Sequence, residues 1–256
     1  MAKTSDLIGH LLDGVLSPGS GSRVDAALGP GGLRAPNSPV HEILNLLGQQ
    51  SAPSGGLGGV ARRFLSHLQQ SRTTSAGAGA LAGVLLGGNR RAALQGGALG
   101  LLGSLALSAL AQSGRLQPPS RPEELPPSLK PVTTDLDRAD ADSRADLLLN
   151  AMVQAAKADG HIDDAEMEKI QGKLQEDGVD PQELRRLMAL MRAPLDLDSL
   201  VVKVNDVETA AEVYAASILT ISVDTEEERA YLAELAERTG LDAATVKELH
   251  RMVGLA

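Results

Sequence analysis

From Ala92 to Ala111 the chain reads AALQGGALGLLGSLALSALA, about twenty residues without a formal charge. As a helix such a run is about long enough to cross bilayer hydrocarbon. The block before it, AGAGALAGVLLGG, is too short to cross alone. Gly79, Gly83 and Gly87 recur every four residues, as do Gly96, Gly100, Ser104 and Ser108. That spacing lines small residues along one helix face and lets two backbones approach closely, as membrane helices do. In water each glycine would destabilise a helix by about 1 kcal/mol relative to alanine. A flexible low-complexity linker is the other reading, but long leucine-rich runs are costly to leave in water. The expectation is a glycine-rich, membrane-associated segment over residues 76–116, with self-association through its glycine-spaced helices.

Charge divides the chain at the same place. Residues 1–117 carry nine Lys/Arg against four Asp/Glu, or +5; the remainder carries fifteen against twenty-nine, or −14, giving −9 overall. A basic half of this kind suits an anionic membrane surface, and an acidic half suits a soluble domain's exterior. One Phe, two Tyr and no Trp leave any core to Leu, Ala, Val, Ile and Met, and the lack of Cys excludes disulfides and thiolate chemistry. The start has no basic n-region followed by a continuous apolar run, so a cleaved secretory signal is not expected.

Residues 1–75 read as a basic N-terminal region. Leu7, Ile8, Leu11, Leu12 and Val15 form a helical stripe within 1–16, and 40–47 and 57–68 are further amphipathic stretches. Residues 17–39, rich in Gly, Pro and Ser, read as linker. Residues 117–142 hold six prolines and read as a second, extended linker.

Beyond it, 143–256 reads as an all-α domain. Period-3.6 patterning predicts helices over 143–158, 163–176, 181–192, 196–204, 206–221, 225–238 and 243–253. Asp163, Asp180, Asp224 and Asp242 are N-cap candidates, and Asp177-Gly178 and Thr239-Gly240 supply turns. Two stretches align at an offset of 61–62 residues. Asp163-Asp164-Ala165-Glu166 matches Asp224-Thr225-Glu226-Glu227, and Gly178-Val179-Asp180 matches Gly240-Leu241-Asp242. This is a pseudo-repeat whose two copies can cover each other's apolar faces.

The stretch Lys157–Ile170, KADGHIDDAEMEKI, looks like half of a calcium loop. The EF-hand register would put Ala155 and Lys157 where oxygen ligands are needed, so the standard site is absent. Asp163-x-x-Glu166 and Asp224-x-x-Glu227 each fit a capping box, which needs no ligand. Asp159 adds a carboxylate that capping does not require, so a divalent site stays open, with magnesium or calcium as the ion. His161 reads as an exposed turn residue, since His250 is the only other imidazole in the domain.

The pattern Ala158-Asp159-Gly160-His161-Ile162-Asp163-Asp164-Ala165-Glu166, inside a helical repeat, resembles the tellurite-resistance TerB-like domain. The glycine-rich segment before it resembles the inner-membrane branch of that family. The resemblance covers about 76–256. It implies a bacterial helical bundle whose acidic residues, Asp159, Asp163 and Glu166 with Asp224 and Glu227 in the second copy, are proposed metal ligands. Thr220 and Ile221 stand where Asp159 and Gly160 stand in the first copy.

No catalytic residues are assigned: there is no nucleophile elbow, no phosphate loop and no Cys. An acidic domain nearly without aromatics disfavours nucleic acid. The function expected is a non-enzymatic, membrane-associated binding module for a protein partner of undefined identity, at the bacterial inner membrane, in envelope stress or metal and tellurite resistance. A soluble metal-dependent enzyme is the alternative.

Overall fold

Among the described residues, two helices lack a polar face, and both are enclosed. The computed structural model describes residues 4–12, 20–33, 35, 38–39, 98–117, 129, 135–160, 162 and 164–255. The described helices are α1 (Thr4–His10), α2 (Ser20–Leu28), α3 (Ala98–Gln112), α4 (Asp135–Ala156), α5 (Asp164–Glu176), α6 (Pro181–Arg192), α7 (Leu197–Val201), α8 (Val207–Thr220), α9 (Glu226–Thr239) and α10 (Ala243–Met252). No strand occurs among the described residues, and the fold is all-α.

In α3 every residue from Ala98 to Leu110 is buried, and in α8 every residue from Thr209 to Thr220. A helix that is apolar all round is stable only where neighbours cover all of it. Here α3 packs on α8, α10 and α1, while α4 and α9 also cover α8. With Tyr214 and Tyr231 as its buried aromatics, the core is otherwise aliphatic, and Met152, Met188, Met191 and Met252 fill it as helical apolar positions should.

This placement changes three sequence expectations. Ala98–Gln112, within the segment that the sequence sets apart from the bundle, forms a central helix of the same core as α4–α10. No helix among the described residues is long and apolar enough to cross a membrane. Residues 76–97, and the stretches 40–47 and 57–68, lie outside the described residues.

The second change is at the proline-rich linker. Helix α4 starts at Asp135, inside 117–142, so the boundary drawn at 143 falls within a helix. Its first turns are polar and lack an apolar stripe, but Asp135 and Asp137 at the N-terminus complement the helix dipole. The third change lies within 17–39, where α2 forms. Val24, Ala27 and Leu28, at helical spacing, are buried among the Gly and Pro that suggested a linker. Helix α1 and the two residues after it carry most of the expected stripe: Leu7, Ile8, Leu11 and Leu12 are buried, and the helix packs on α3 and α4, while Val15 lies outside the described residues.

The pseudo-repeat is visible in the turns. Helices α5 and α6 recur as α9 and α10, and Gly178 (φ 78°) and Gly240 (φ 70°) end α5 and α9 in the same left-handed conformation. Asp180 accepts from the backbone N–H groups of Gln182 and Glu183, and Asp242 from those of Ala244 and Thr245. Equivalent C-terminal turns and equivalent N-caps thus start α6 and α10.

One buried charge pair crosses the centre. Glu212 on α8 is fully enclosed, and Arg144 on α4 donates to it at 2.6 Å. Removing the cation alone takes the charged partner from an enclosed carboxylate, so Arg144→Met should cost about 3–5 kcal/mol, whereas Arg144→Met with Glu212→Leu should restore most of that loss. Urea unfolding of the three proteins measures both differences.

Candidate functional site

The first acidic turn follows α4. Asp159 is exposed, and Gly160 adopts φ 123°, a backbone angle that only glycine tolerates easily. Asp163, His161 and the side chain of Glu166 lie outside the described residues. Lys157, which the EF-hand register would make a ligand, has another task. Its ammonium is buried and donates to the carbonyls of Leu190 (3.1 Å), Ala193 (2.8 Å) and Pro194 (3.5 Å) at the end of α6. Burial lowers its pKa, and the carbonyl ends of a helix supply the compensating negative potential.

The second acidic turn corrects the sequence reading by one residue. The N-cap of α9 is Thr225, not Asp224, and the capping-box partner is Glu228, not Glu227. Thr225 Oγ1 accepts from the Glu228 N–H at 3.1 Å. The Glu228 carboxylate accepts from three backbone N–H groups, those of Ser222 (3.2 Å), Asp224 (2.9 Å) and Thr225 (3.2 Å). Asp224 and Glu227 are exposed. The shift has a simple cause: TEEE offers acidic residues in three successive positions, and only Glu228 stands three residues beyond a residue whose hydroxyl can cap. Burial pushes the Glu228 pKa up, but the three backbone donors outweigh it and hold the group below its usual value.

Around this nest the backbone is constrained further. Val223 adopts φ 56°, unfavourable for a β-branched residue, and Arg229 donates to the carbonyls of Val223 and Asp224. Arg23 of α2 also donates to the carbonyls of Ile218 (3.3 Å) and Ser222 (2.6 Å). Guanidinium and carboxylate therefore both hold this strained turn, which makes it a structural joint. Among the described residues no three His, Asp or Glu side chains come together in a way that could hold a metal ion.

A different site escaped sequence reasoning. At the junction of α9 and α10, a groove of about 490 Å³ is lined by Ala236, Leu241, Val246, Lys247, His250 and Leu255. His250 Nε2 lies 2.8 Å from the hydroxyl of buried Tyr214 on α8, with the rings tilted at 30°. Burial lowers the His250 pKa and raises that of Tyr214, so both are neutral near neutral pH. The groove is mostly apolar, with a polar imidazole in its wall and the exposed Lys247 at its rim, an arrangement suited to binding. The available signal was the scarcity of tyrosine: a buried Tyr hydroxyl needs a partner, and His250 sits in the last turn of α10.

These features belong to an all-helical class of protein. The family described as "Protein of unknown function (DUF533)" matches residues 70–253, and the chain belongs to it. The chain is also similar to "Uncharacterized protein in ampR 5'region" of Yersinia enterocolitica, 37% identical over 97 residues, 38% of this chain and 70% of that relative. No solved structure matches the chain.

The corrected capping register is directly measurable. Thr225→Ala should destabilise by about 1 kcal/mol, while Glu227→Ala should stay within about 0.5 kcal/mol. Since the folded pKa of Glu228 lies below its ordinary 4.5, its stabilisation is full above that value and fades as pH falls through the folded pKa. Glu228→Gln should therefore be less stable than wild type at neutral pH, and the difference should shrink in acid, as followed by urea unfolding across pH.

Proposed function

We propose that the protein is a non-enzymatic helical binding module that associates with a membrane, at the bacterial inner membrane. The observation that carries this is the uncharged run itself. From Ala92 to Gly114 no residue is charged, and Arg90-Arg91 and Arg115 flank the run. Those 23 residues would extend about 34 Å as one helix, against a hydrocarbon thickness of about 30 Å. Helix α3, at 15 residues, covers part of that run. Basic residues on both flanks suit anionic lipid headgroups.

The groove beside His250 supports the binding part of the reading, since its apolar walls and rim ammonium favour an acidic, partly apolar partner segment. The resemblance to tellurite-resistance domains adds the proposal that Asp159, Asp163 and Glu166 respond to magnesium or calcium. Helical self-association through Gly96, Gly100, Ser104 and Ser108 belongs to the same proposal.

Because α3 is part of the core, deleting 76–111 would test folding rather than anchoring. The full chain is the appropriate reagent. It should sediment with vesicles of phosphatidylglycerol and phosphatidylcholine and stay bound after a high-salt wash, because apolar contact is not screened by salt. Complete recovery in the supernatant would refute the membrane reading.

A further inference from the structure

The contact between Tyr214 and His250 can persist in both charge states of the imidazole. A tyrosine hydroxyl is donor and acceptor at once, and its hydrogen rotates about the C–O bond. Beside a neutral ring the Tyr214 hydroxyl can donate to Nε2; beside an imidazolium it accepts from Nε2–H across the same 2.8 Å. Protonation then moves a hydrogen and leaves the heavy atoms in place. Tyr214 is enclosed, whereas His250 is partly exposed and belongs to the groove wall, so the ring is open to protons and ligands from the groove.

The charged groups on the elements around the ring have tasks of their own. On α10, Glu248 pairs with Arg251 at 2.7 Å, and Arg251 also donates to Gln112 of α3 and to the carbonyl of Gly31. Asp242 caps α10 and accepts from Arg115, which follows α3. On α8, Glu212 accepts from Arg144. On α9 the groove wall is Ala236, next in the chain to the exposed Glu237. Burial, rather than any of these carboxylates, sets the charge of the ring and keeps it neutral near neutral pH. A carboxylate brought into the groove would oppose that effect of burial. The exposed Lys247, one helical turn before His250, favours the arrival of such an anion at the rim.

We propose that the groove binds its acidic, partly apolar partner segment together with a proton: the partner's carboxylate is met by the imidazolium of His250, and Tyr214 holds the ring in place through the change. This rests on the acidic-partner reading above and adds its regulation by pH. In the free protein the ring gains its proton only below a pKa that burial has lowered, and a carboxylate beside it raises that value. Affinity therefore rises as pH falls through the bound-state pKa and levels off below the free-state one.

Octanoate, an apolar chain with one carboxylate, is the probe, and octanamide is its uncharged counterpart. An alkyl carboxylate titrates near a glutamate side chain, at about pH 4–5, so between pH 8 and pH 5.5 the probe stays mostly ionised. Both are titrated into the full-length protein by NMR, following the groove signals and the His250 ring. Octanoate should bind about fivefold more tightly at pH 5.5 than at pH 8 and raise the pH at which the ring titrates, while octanamide should do neither. His250→Gln, whose amide can still bond to Tyr214, should bind octanoate equally at the two pH values. Equal octanoate binding by wild type at both, or a ring titration that octanoate leaves in place, would overturn the proton linkage and leave the acidic-partner reading standing. The wild-type ring titration decides this even where the variant fails to fold. Groove signals that octanoate does not move at either pH would refute both readings.

Discussion

The enclosure of two apolar helices by their neighbours is the constraint on which the rest of the structure depends. With almost no aromatic residues, the core cannot rely on a few large side chains, so it needs many small contacts at close range. Gly100, Gly103, Ser104 and Ser108 on α3, and Ala210, Ala211, Ala215 and Ala216 on α8, provide them. The amphipathic helices then have an apolar centre to cover. Helix α1 places its leucine stripe against α3 and α4, and α2 reaches α8. The Arg144–Glu212 pair adds direction to a contact that apolar packing alone would define loosely, since it fixes one register of α4 on α8.

Much of this was legible from sequence wherever the signal was local. The pseudo-repeat, the positions of α6, α8 and α10, and the Asp180 and Asp242 caps follow from turn residues and apolar spacing. What sequence left open was the surroundings of α3. Composition reports that α3 must avoid water, but a bilayer and a protein core are both dry, and twenty uncharged residues do not distinguish them. Helix α2 was hidden for the converse reason. Its three apolar residues are too few to stand out among glycine and proline, and its stability comes from Arg23 meeting carbonyls about 200 positions away.

The site was less legible. An acidic turn advertises itself by composition, yet its second copy proves to be a capping nest built around Glu228, one residue beyond the motif read from spacing. Identical chemistry at three consecutive positions leaves the choice to backbone geometry. The Tyr214–His250 contact joins two helices 36 positions apart, and nothing in either local sequence marks it. Long-range polar pairs of this kind become visible only once the helices are placed.

The order of the helices along the chain has a consequence for synthesis. Helix α3 is complete at Gln112, but α8, against which it packs, ends at Thr220, 108 residues later. At about 5–20 residues per second, ribosomes take roughly 5–20 s to deliver that partner. Throughout that interval α3, the most apolar of the described helices, is outside the polymerising centre without α8 to cover it. Every nascent copy therefore holds this apolar surface uncovered before it can present a finished fold, and its protection until α8 arrives is a matter of kinetics rather than of the free energy of the completed bundle.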